Sequence, residues 1–170
     1  MNSEPERVPV IDIVPRIRAC ELLMSETDGA EIGCVVSIGD PGQDRPFGMD
    51  RITQRLRLEF HDVLESSAED TAPCSADVER IVRFAERTAD TPRRVLVHCE
   101  AGISRSTAAA LILYAVWLGP GEEENAAARV FASVPWAHPN RTMVRLADDL
   151  LQRGGALVAA LERQLAVAGP

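Results

Sequence analysis

The chain has 170 residues, which is enough for one domain with its own hydrophobic core. Its formal net charge is −8, and this acidic balance argues against a general nucleic-acid binder or a protein that docks on anionic membranes. All 18 basic residues are arginine, a composition that fits a GC-rich bacterial genome.

The cysteine pattern and the N-terminus indicate a protein of the reducing cytoplasm. Cys20, Cys34, Cys74 and Cys99 are too sparse for a disulfide scaffold in a chain of this length. No basic region followed by an apolar run opens the chain, so we expect no signal peptide. The longest apolar stretch, residues 106–118, is too short to span a bilayer, and we expect no membrane association.

The first half of the chain alternates between strand and helix patterns. Residues 1–9 are polar and contain proline, which predicts a loose start. Pro15 suits the first turn of a helix whose apolar residues follow at helical spacing, and residues 25–31 read as a turn. The third strand alternates between apolar and charged residues, so it is expected to be half-buried. The strands predicted in this half span residues 10–14, 33–38 and 53–60.

The second half carries a buried strand followed by helices. Ser75 is placed to cap a helix that leads into Val95–Val97, an apolar run typical of a strand buried on both faces. Thr107–Leu118 is apolar almost throughout, which predicts a central buried helix. Further helices are expected at residues 122–134 and from residue 143 onward, with a break at Gly154-Gly155. We therefore predict one α/β domain over residues 1–170, with a short, mainly parallel central sheet flanked by helices.

The loop between the buried strand and the buried helix carries the chemistry. Free backbone N–H groups at the start of a helix, together with the helix dipole, favour a bound anion. Cys99 opens the loop, and a thiol at such a place becomes a thiolate near neutral pH. Arg105 closes the loop with a planar fork that matches two oxygens of a tetrahedral oxyanion. A nucleophile and an anion clamp on one loop predict covalent attack on phosphorus.

The segment His98-Cys99-Glu100-Ala101-Gly102-Ile103-Ser104-Arg105-Ser106 resembles the signature loop of the cysteine-dependent protein tyrosine phosphatases, in particular their small dual-specificity-like branch. The resemblance covers roughly residues 56–151 and implies that branch's fold, with no cofactor and no metal. It implies that Cys99 is the nucleophile, that Ser106 helps the sulfur leave, and that His98 orders the loop and tunes the thiol. The residues that it assigns to phosphate binding are Glu100, Ala101, Gly102, Ile103, Ser104 and Arg105.

The resemblance also requires a general acid on a loop that follows the preceding strand. Asp62 lies at that place, and Glu65 and Asp70 on the same loop are alternatives. The long loop at residues 61–73 is itself typical of a functional segment. Asn140 resembles a residue that braces the signature loop in this branch, although capping of the next helix is an equally good interpretation.

The expected function is therefore hydrolysis of a phosphorylated protein or a small phosphomonoester. One alternative is a phosphate-binding module without turnover, and another is a sulfurtransferase, whose loop usually has one residue fewer between its cysteine and arginine. Glu100, Ala101 and Ile103 occupy positions where the lipid-phosphatase branch carries lysines, which disfavours a phosphoinositide substrate. Cys34 or Cys74 could in principle form a protective disulfide with the nucleophile, but isolated cysteines are usually buried apolar residues.

Overall fold

The computed structural model describes residues 8–91 and 94–169 of the chain. Most of the segment predicted as a loose start, residues 1–9, lies outside the described residues. Of its last two residues, Pro9 is buried. The strands are β1 (Ile11–Pro15), β2 (Ile32–Gly39), β3 (Gln54–Glu59) and β4 (Arg94–Cys99). The helices are α1 (Arg16–Met24), α2 (Glu26–Glu31), α3 (Ser75–Thr88), α4 (Arg105–Leu118), α5 (Glu123–Ser133), α6 (Arg141–Leu150) and α7 (Ala156–Ala168).

The four strands form one sheet in the order β1-β4-β2-β3, and every neighbouring pair is parallel. The α/β class and the parallel sheet predicted from the apolar runs are therefore confirmed. Val36 of β2 lies in register with Leu56 of β3 on one side and Val97 of β4 on the other. Because the strands are parallel, their carboxyl ends meet at one edge of the sheet.

Two apolar layers cover the two faces of the sheet. Alternate strand residues such as Val97 join the main core, which is built with residues of the helices from α3 onward. Their neighbours, such as Leu96, join a smaller core with Ala19 and Leu23 of α1. The apolar composition of β2 and β4 thus follows from burial on both faces.

The central helix α4 is buried along nearly its whole length. Every residue from Arg105 to Ala115 is buried, between the sheet on one side and the outer helices on the other. The pattern of the sequence predicted this burial, although the helix begins at Arg105, two residues before the predicted start. Its first turn therefore includes the arginine and serine of the candidate loop.

Two local predictions were wrong, both because of helix capping. Residues 26–31 form the short helix α2 instead of a turn, since the Ser25 hydroxyl accepts the Asp28 N–H at 3.1 Å. Helix α3 is capped by Cys74, not by Ser75. There the Asp77 carboxylate accepts the Cys74 N–H at 3.0 Å, so the acid of the first turn supplies the capping bond.

The turn between the last two helices is stabilised by one buried carboxylate. Asp148 of α6 accepts the N–H groups of Gly155, Leu157 and Val158 at 2.6, 2.8 and 3.2 Å. Gly155 has a φ of 90°, a conformation that side chains rarely tolerate. The predicted break at Gly154-Gly155 is confirmed, and α6 is held firmly at its carboxyl end.

Candidate active site

The candidate loop, which we call the Cys99–Arg105 loop, lies at the carboxyl edge of the sheet. Strand β4 is an inner strand with β1 and β2 as neighbours, and it ends at Cys99. The chain then turns directly into α4 at Arg105. Grooves at the carboxyl edge of a parallel sheet are the usual ligand sites of α/β proteins, so the fold places the loop where a site is expected.

The thiol of Cys99 is buried and contacts one group of its own loop and one group at the start of α4. Only 2% of the residue is exposed. Its sulfur accepts the Gly102 N–H at 3.3 Å and lies 3.2 Å from the hydroxyl oxygen of Ser106. The structure therefore brings the predicted nucleophile and the predicted leaving-group donor into contact.

Gly102 is the one residue of the loop for which a side chain has no space. Its φ is 74°, and a Cβ atom would lie 2.7 Å from the backbone N of Pro15 and from the carbonyl carbon of Val14. The loop thus passes directly against the end of β1. Glycine is therefore required at this position for a steric reason as well as a conformational one.

The carbonyl groups of the loop are bonded to the surrounding protein. The Glu100 carbonyl accepts the Arg16 N–H at 3.1 Å, and the Ile103 carbonyl accepts the His138 N–H at 2.9 Å. In a trans peptide unit the next N–H points opposite to the carbonyl. The N–H groups of Ala101 and Ser104 are therefore turned away from these outer partners, as an anion-binding loop requires.

Arg105 is buried and anchored through one of its three nitrogens. Its side chain is 5% exposed, and Nη1 donates to the Asp40 carboxylate at 2.6 Å and to the Phe60 carbonyl at 2.7 Å. Its Nε is buried and has no hydrogen-bond partner among the described residues. An unsatisfied buried donor of a charged group is costly, and an oxyanion in the loop would supply the missing acceptor.

Of the three candidate acids, Asp62 is the one that contacts the Cys99–Arg105 loop. Its Oδ1 accepts the Ser104 hydroxyl at 2.7 Å and the Asn140 side-chain amide at 3.0 Å. Asp70 instead lies 3.7 Å from a ring nitrogen of His61. Glu65 lines a groove against α6 and α7. The geometry thus favours Asp62 among the three.

Asn140 connects the acid loop to both α6 and the Cys99–Arg105 loop. Its amide also donates to the Val63 carbonyl at 3.2 Å, while its Oδ1 caps α6 by accepting the Met143 N–H at 3.2 Å. Its backbone N–H donates to the Ser104 carbonyl at 3.3 Å. The two interpretations of this residue, bracing and capping, are both present in one side chain and its backbone.

His98 lies beneath the loop on the opposite face of β4 from the nucleophile, in register with Ser37 of β2. It is 1% exposed, and its Nδ1 lies 3.2 Å from the Cys99 carbonyl. Burial lowers the pKa of His98 to about 4, so the ring is neutral at pH 7. Since a carbonyl only accepts, Nδ1 carries the proton in this contact.

Asp40 and Gln43 also contact the loop, and the sequence alone did not single them out. Asp40 follows β2 directly and holds Arg105, and the Gln43 amide donates to the Glu100 carboxylate at 2.8 Å. The sequence contained one indication of their role, because polar residues that directly follow a parallel strand lie at the site-forming edge of the sheet. Their pairing with the Cys99–Arg105 loop was not predicted, because the loop lies some 60 residues further along the chain.

None of the other cysteines is bonded to the nucleophile, and the register of β2 places Cys34 away from it. All four cysteines are free. Cys34 lies in register with Val95, four residues before Cys99, which is about 13 Å along an extended strand. Burial raises the pKa of the Cys34 thiol, which keeps it protonated and unreactive. Cys74 lies at the start of α3, with its sulfur 3.2 Å from the Asp77 carboxylate.

Two concave regions lie outside the loop. A cavity of about 560 Å³ opens at the amino ends of β2 and β3, at the far edge of the sheet from Cys99. A groove of about 320 Å³ runs between the acid loop, α6 and α7, with Leu64 and Val144 among its apolar residues. In the part of the chain that the structure describes, no helix has both the length and the apolar surface to cross a membrane.

Three solved structures with the same fold are distant from this chain in sequence. DUSP15 is 21% identical and aligns over 96% of this chain and 94% of its own, with a TM-score of 0.62. The human tyrosine phosphatase-like serine/threonine/tyrosine-interacting protein is 19% identical, over 82% and 89% of the two chains, with a TM-score of 0.63. PTPMT1, crystallised in complex with PI(5)P, is 14% identical over 92% and 95%, with a TM-score of 0.59.

No protein-family model matches the chain, and no curated protein sequence matches it either. At the identities of the solved structures, the likeness establishes the fold. It confirms the predicted dual-specificity-phosphatase-like architecture.

Proposed function

We propose that the chain is a cysteine-dependent phosphatase of the protein-tyrosine, dual-specificity-like type that hydrolyses phosphomonoesters through a phosphocysteine on Cys99. One observation carries the proposal. The buried thiol of Cys99 shares its loop with the guanidinium of Arg105, whose Nε is buried without an acceptor among the described residues. Nucleophile and anion clamp are thus within one short loop at the carboxyl edge of the sheet.

In the first step, the Cys99 thiolate attacks phosphorus while the bond from phosphorus to the ester oxygen breaks. Loop N–H groups and Arg105 hold the phosphoryl oxygens, whose charge is stabilised most in the transition state. Asp62 gives its proton to the leaving alkoxide. No hydrogen bond of Asp62 Oδ2 to a described residue is present, so this oxygen is free to carry the proton while Oδ1 is held by Ser104 and Asn140.

In the second step, water attacks the phosphocysteine. The Asp62 carboxylate takes a proton from the water as the new bond between oxygen and phosphorus forms. The bond between phosphorus and sulfur breaks, and the hydroxyl of Ser106, 3.2 Å from the sulfur, donates to the departing thiolate. The cycle releases inorganic phosphate and returns the free thiolate.

The proposed substrates are phosphotyrosine or phosphoserine and phosphothreonine in proteins, or a small phosphomonoester. The described part of the chain has no large insertion around the Cys99–Arg105 loop, and the Asp62 carboxylate is exposed, which supports a shallow and tolerant pocket. A thiolate nucleophile requires a reducing compartment, so the proposal includes action in the cytoplasm.

Hydrolysis of p-nitrophenyl phosphate in the presence of EDTA and a thiol reductant tests the proposal. We expect turnover by the wild type and none by Cys99→Ser. Cys20→Ser is the matched control, because Cys20 is a half-buried free cysteine on α1. It should keep the wild-type rate.

Other outcomes would identify the two alternatives. A wild type that binds phosphopeptides but releases no phosphate from them or from p-nitrophenyl phosphate would be a phosphate-binding module. Transfer of sulfur from thiosulfate to cyanide, without any phosphatase activity, would identify a sulfurtransferase. Activity that survives Cys99→Ser would overturn the thiolate mechanism.

A further inference from the structure

The residue before the candidate acid bonds a different part of the structure from its two neighbours. The Phe60 carbonyl accepts Arg105 Nη1 at 2.7 Å. The Asp62 carboxylate accepts the Ser104 hydroxyl at 2.7 Å. Both neighbours of His61 are therefore bonded to the Cys99–Arg105 loop, whereas no hydrogen bond joins His61 to a described residue of that loop.

His61 instead closes the base of the acid loop, which comprises residues 61–73. Its backbone N–H donates to the Thr71 carbonyl at 2.7 Å, and its ring Nδ1 accepts the Thr71 N–H at 2.9 Å. Both backbone polar groups of Thr71 are thus bonded by one histidine. The two ends of the acid loop are held together directly beside Asp62.

One peptide unit connects this closure to the Cys99–Arg105 loop. The carbonyl of Phe60 and the N–H of His61 belong to the same trans peptide, so they point in opposite directions. The unit is therefore bonded to Arg105 on one side and to Thr71 on the other. The backbone that leads into Asp62 is fixed between these two bonds.

The ring of His61 can accept the Thr71 N–H only while Nδ1 carries no proton. A neutral ring then carries its proton on Nε2, the opposite tautomer to that of His98, whose Nδ1 contacts a carbonyl. The charged group that faces His61 Nδ1 is the Asp70 carboxylate at 3.7 Å, and no other ion pair of the ring with a described residue is present. A protonated ring would lose its bond to Thr71 and would donate to Asp70 instead.

We propose that His61 is a positioning residue, whose paired hydrogen bonds with Thr71 hold the backbone of Asp62 so that its carboxyl group meets the leaving oxygen. The inference rests on the proposed phosphatase function and deepens it. It is carried by the two bonds at 2.7 and 2.9 Å. The ring is 27% exposed and belongs to neither apolar core, which makes its role separable from folding.

Two substitutions, His61→Ala and His61→Asn, test the role of the ring. Alanine keeps the backbone bond and removes the ring acceptor, whereas asparagine places its side-chain oxygen close to the position of Nδ1. For an alkyl phosphate we expect kcat/KM of His61→Ala to fall about 10-fold or more, since a small displacement of an oriented group costs that much. For p-nitrophenyl phosphate the loss should be smaller, because its leaving group needs less help from an acid. His61→Asn should recover most of the loss.

Ser67→Ala is the matched control within the same loop. The Ser67 hydroxyl oxygen also accepts backbone N–H groups, those of Glu69 and Asp70, but it does so at the tip of the loop. This variant should keep the wild-type kcat/KM for both substrates. The same loss in Ser67→Ala as in His61→Ala would indicate general loosening of the loop and would overturn the proposal.

Two further results of the kinetics would overturn the proposal while leaving the phosphatase function intact. An equal loss for both substrates in His61→Ala would show that the residue supports phosphate binding and not the acid. Wild-type kinetics in His61→Ala would show that its ring has no role in the reaction.

The pH dependence gives a readout that a merely structural role would not change. Histidine changes its charge between about pH 5 and pH 8, whereas asparagine does not titrate. All other groups titrate in both proteins, so the measured quantity is the kcat/KM of the wild type divided by that of His61→Asn for the alkyl phosphate. This ratio should fall as the pH is lowered from about 8 to about 5, because protonation breaks the ring bond to Thr71 in the wild type alone. A constant ratio would refute the role of the neutral ring.

A third readout does not depend on turnover. The acid loop contains Glu65 and Glu69, at which a glutamate-specific protease cuts an opened loop, and mass spectrometry identifies the products. We expect His61→Ala to be cut at these sites several-fold faster than the wild type, and His61→Asn to be cut about as slowly as the wild type. Equal rates in all three proteins would refute the closure by His61. Faster cutting of His61→Ala, when the wild type has no phosphatase activity, would uphold the closure and place the failure on the proposed function.

Discussion

The side-chain amide of Asn140 donates to the Asp62 carboxylate at 3.0 Å across 78 residues of sequence. The same asparagine caps α6 through its oxygen, which accepts the Met143 N–H at 3.2 Å. The donor end of the side chain therefore serves the candidate acid, while the acceptor end serves the helix. Two substitutions can separate these tasks.

Asn140→Asp should reduce activity while largely keeping stability. Aspartate caps a helix about as well as asparagine, so the melting temperature should change little. It presents a carboxylate to Asp62 instead of a donor, however, and the repulsion should displace the acid loop. We expect kcat to fall about 10-fold, a fraction of what general-acid catalysis contributes. Steady-state kinetics and a thermal melt of the same preparation measure both effects.

Asn140→Ala is the companion variant, since it removes the hydrogen bonds at both the donor end and the acceptor end of the side chain. It should lose about 1 kcal/mol of unfolding free energy from the missing cap, in addition to the loss in kcat. Equal kcat values for the wild type and both variants would show that the contact with Asp62 has no catalytic consequence.

Asp62→Asn should remove the alkaline limb of the pH profile of kcat. A general acid must be protonated, so kcat falls when its proton is lost on raising the pH. Asparagine has no proton to lose at this position, and the variant's kcat should become flat over that range. The loss should be about 100-fold for alkyl phosphates and smaller for aryl phosphates with good leaving groups.

The matched controls for this profile are Glu65→Gln and Asp70→Asn, which should both keep the limb. Asp40 also has a carboxylate near Arg105, and it is therefore the residue to test next. If the limb persists in Asp62→Asn and is lost in Asp40→Asn, the acid lies on the loop after β2 instead of the loop after β3.

The sequence was sufficient to predict the main elements because their signals are local. Continuous apolar runs predicted β2 and β4, and alternation predicted the half-buried β3, whose Leu56 and Leu58 are buried. The order β1-β4-β2-β3 depends on pairings between distant segments, which no local pattern encodes. The short helix α2 was missed because one capping serine outweighed the turn-forming residues that follow it.

The same contrast holds for the candidate site. Cys99, Ser106 and Arg105 lie on one continuous segment, so their spacing alone predicted that they would come together. The pairing of Arg105 with Asp40 spans 65 residues and exists only because β2 and β4 are neighbours in the sheet. The contact of Asp62 with Ser104 likewise depends on where β3 ends.

The buried side chain of His98 should make the free energy of unfolding of the protein depend on pH. Burial lowers its pKa from 6.5 to about 4 in the folded protein. Between these two values the unfolded chain binds a proton that the folded protein does not, so stability falls as the pH is lowered from about 6.5 to about 4. The full effect is about 3 kcal/mol, since each pKa unit corresponds to about 1.4 kcal/mol.

Urea unfolding of the wild type and His98→Gln at pH 7 and pH 4.5 measures this contribution. Glutamine does not titrate, while the carboxylates that also respond to acid are the same in both proteins. The wild type should therefore lose more unfolding free energy on acidification than the variant does. An identical loss in both proteins would show that His98 is protonated in the folded state as readily as in the unfolded one.

Ser106→Ala should slow the second chemical step more than the first. The Ser106 hydroxyl lies 3.2 Å from the Cys99 sulfur, and its bond to a departing thiolate is charge-assisted. Loss of such a bond costs about 1.5–3 kcal/mol, which corresponds to about 10-fold to 100-fold in the rate of phosphocysteine hydrolysis. Attack of the thiolate on substrate does not require the sulfur to leave, so the first step should keep most of its rate.

Rapid mixing with p-nitrophenyl phosphate should then show a burst of one p-nitrophenol per enzyme, followed by slow turnover. A linear time course with a reduced rate, and no burst, would place the effect of Ser106 on the first step instead. Ser133→Ala on α5 is a suitable control, because that hydroxyl bonds only the Arg129 carbonyl among the described residues and should leave both phases unchanged.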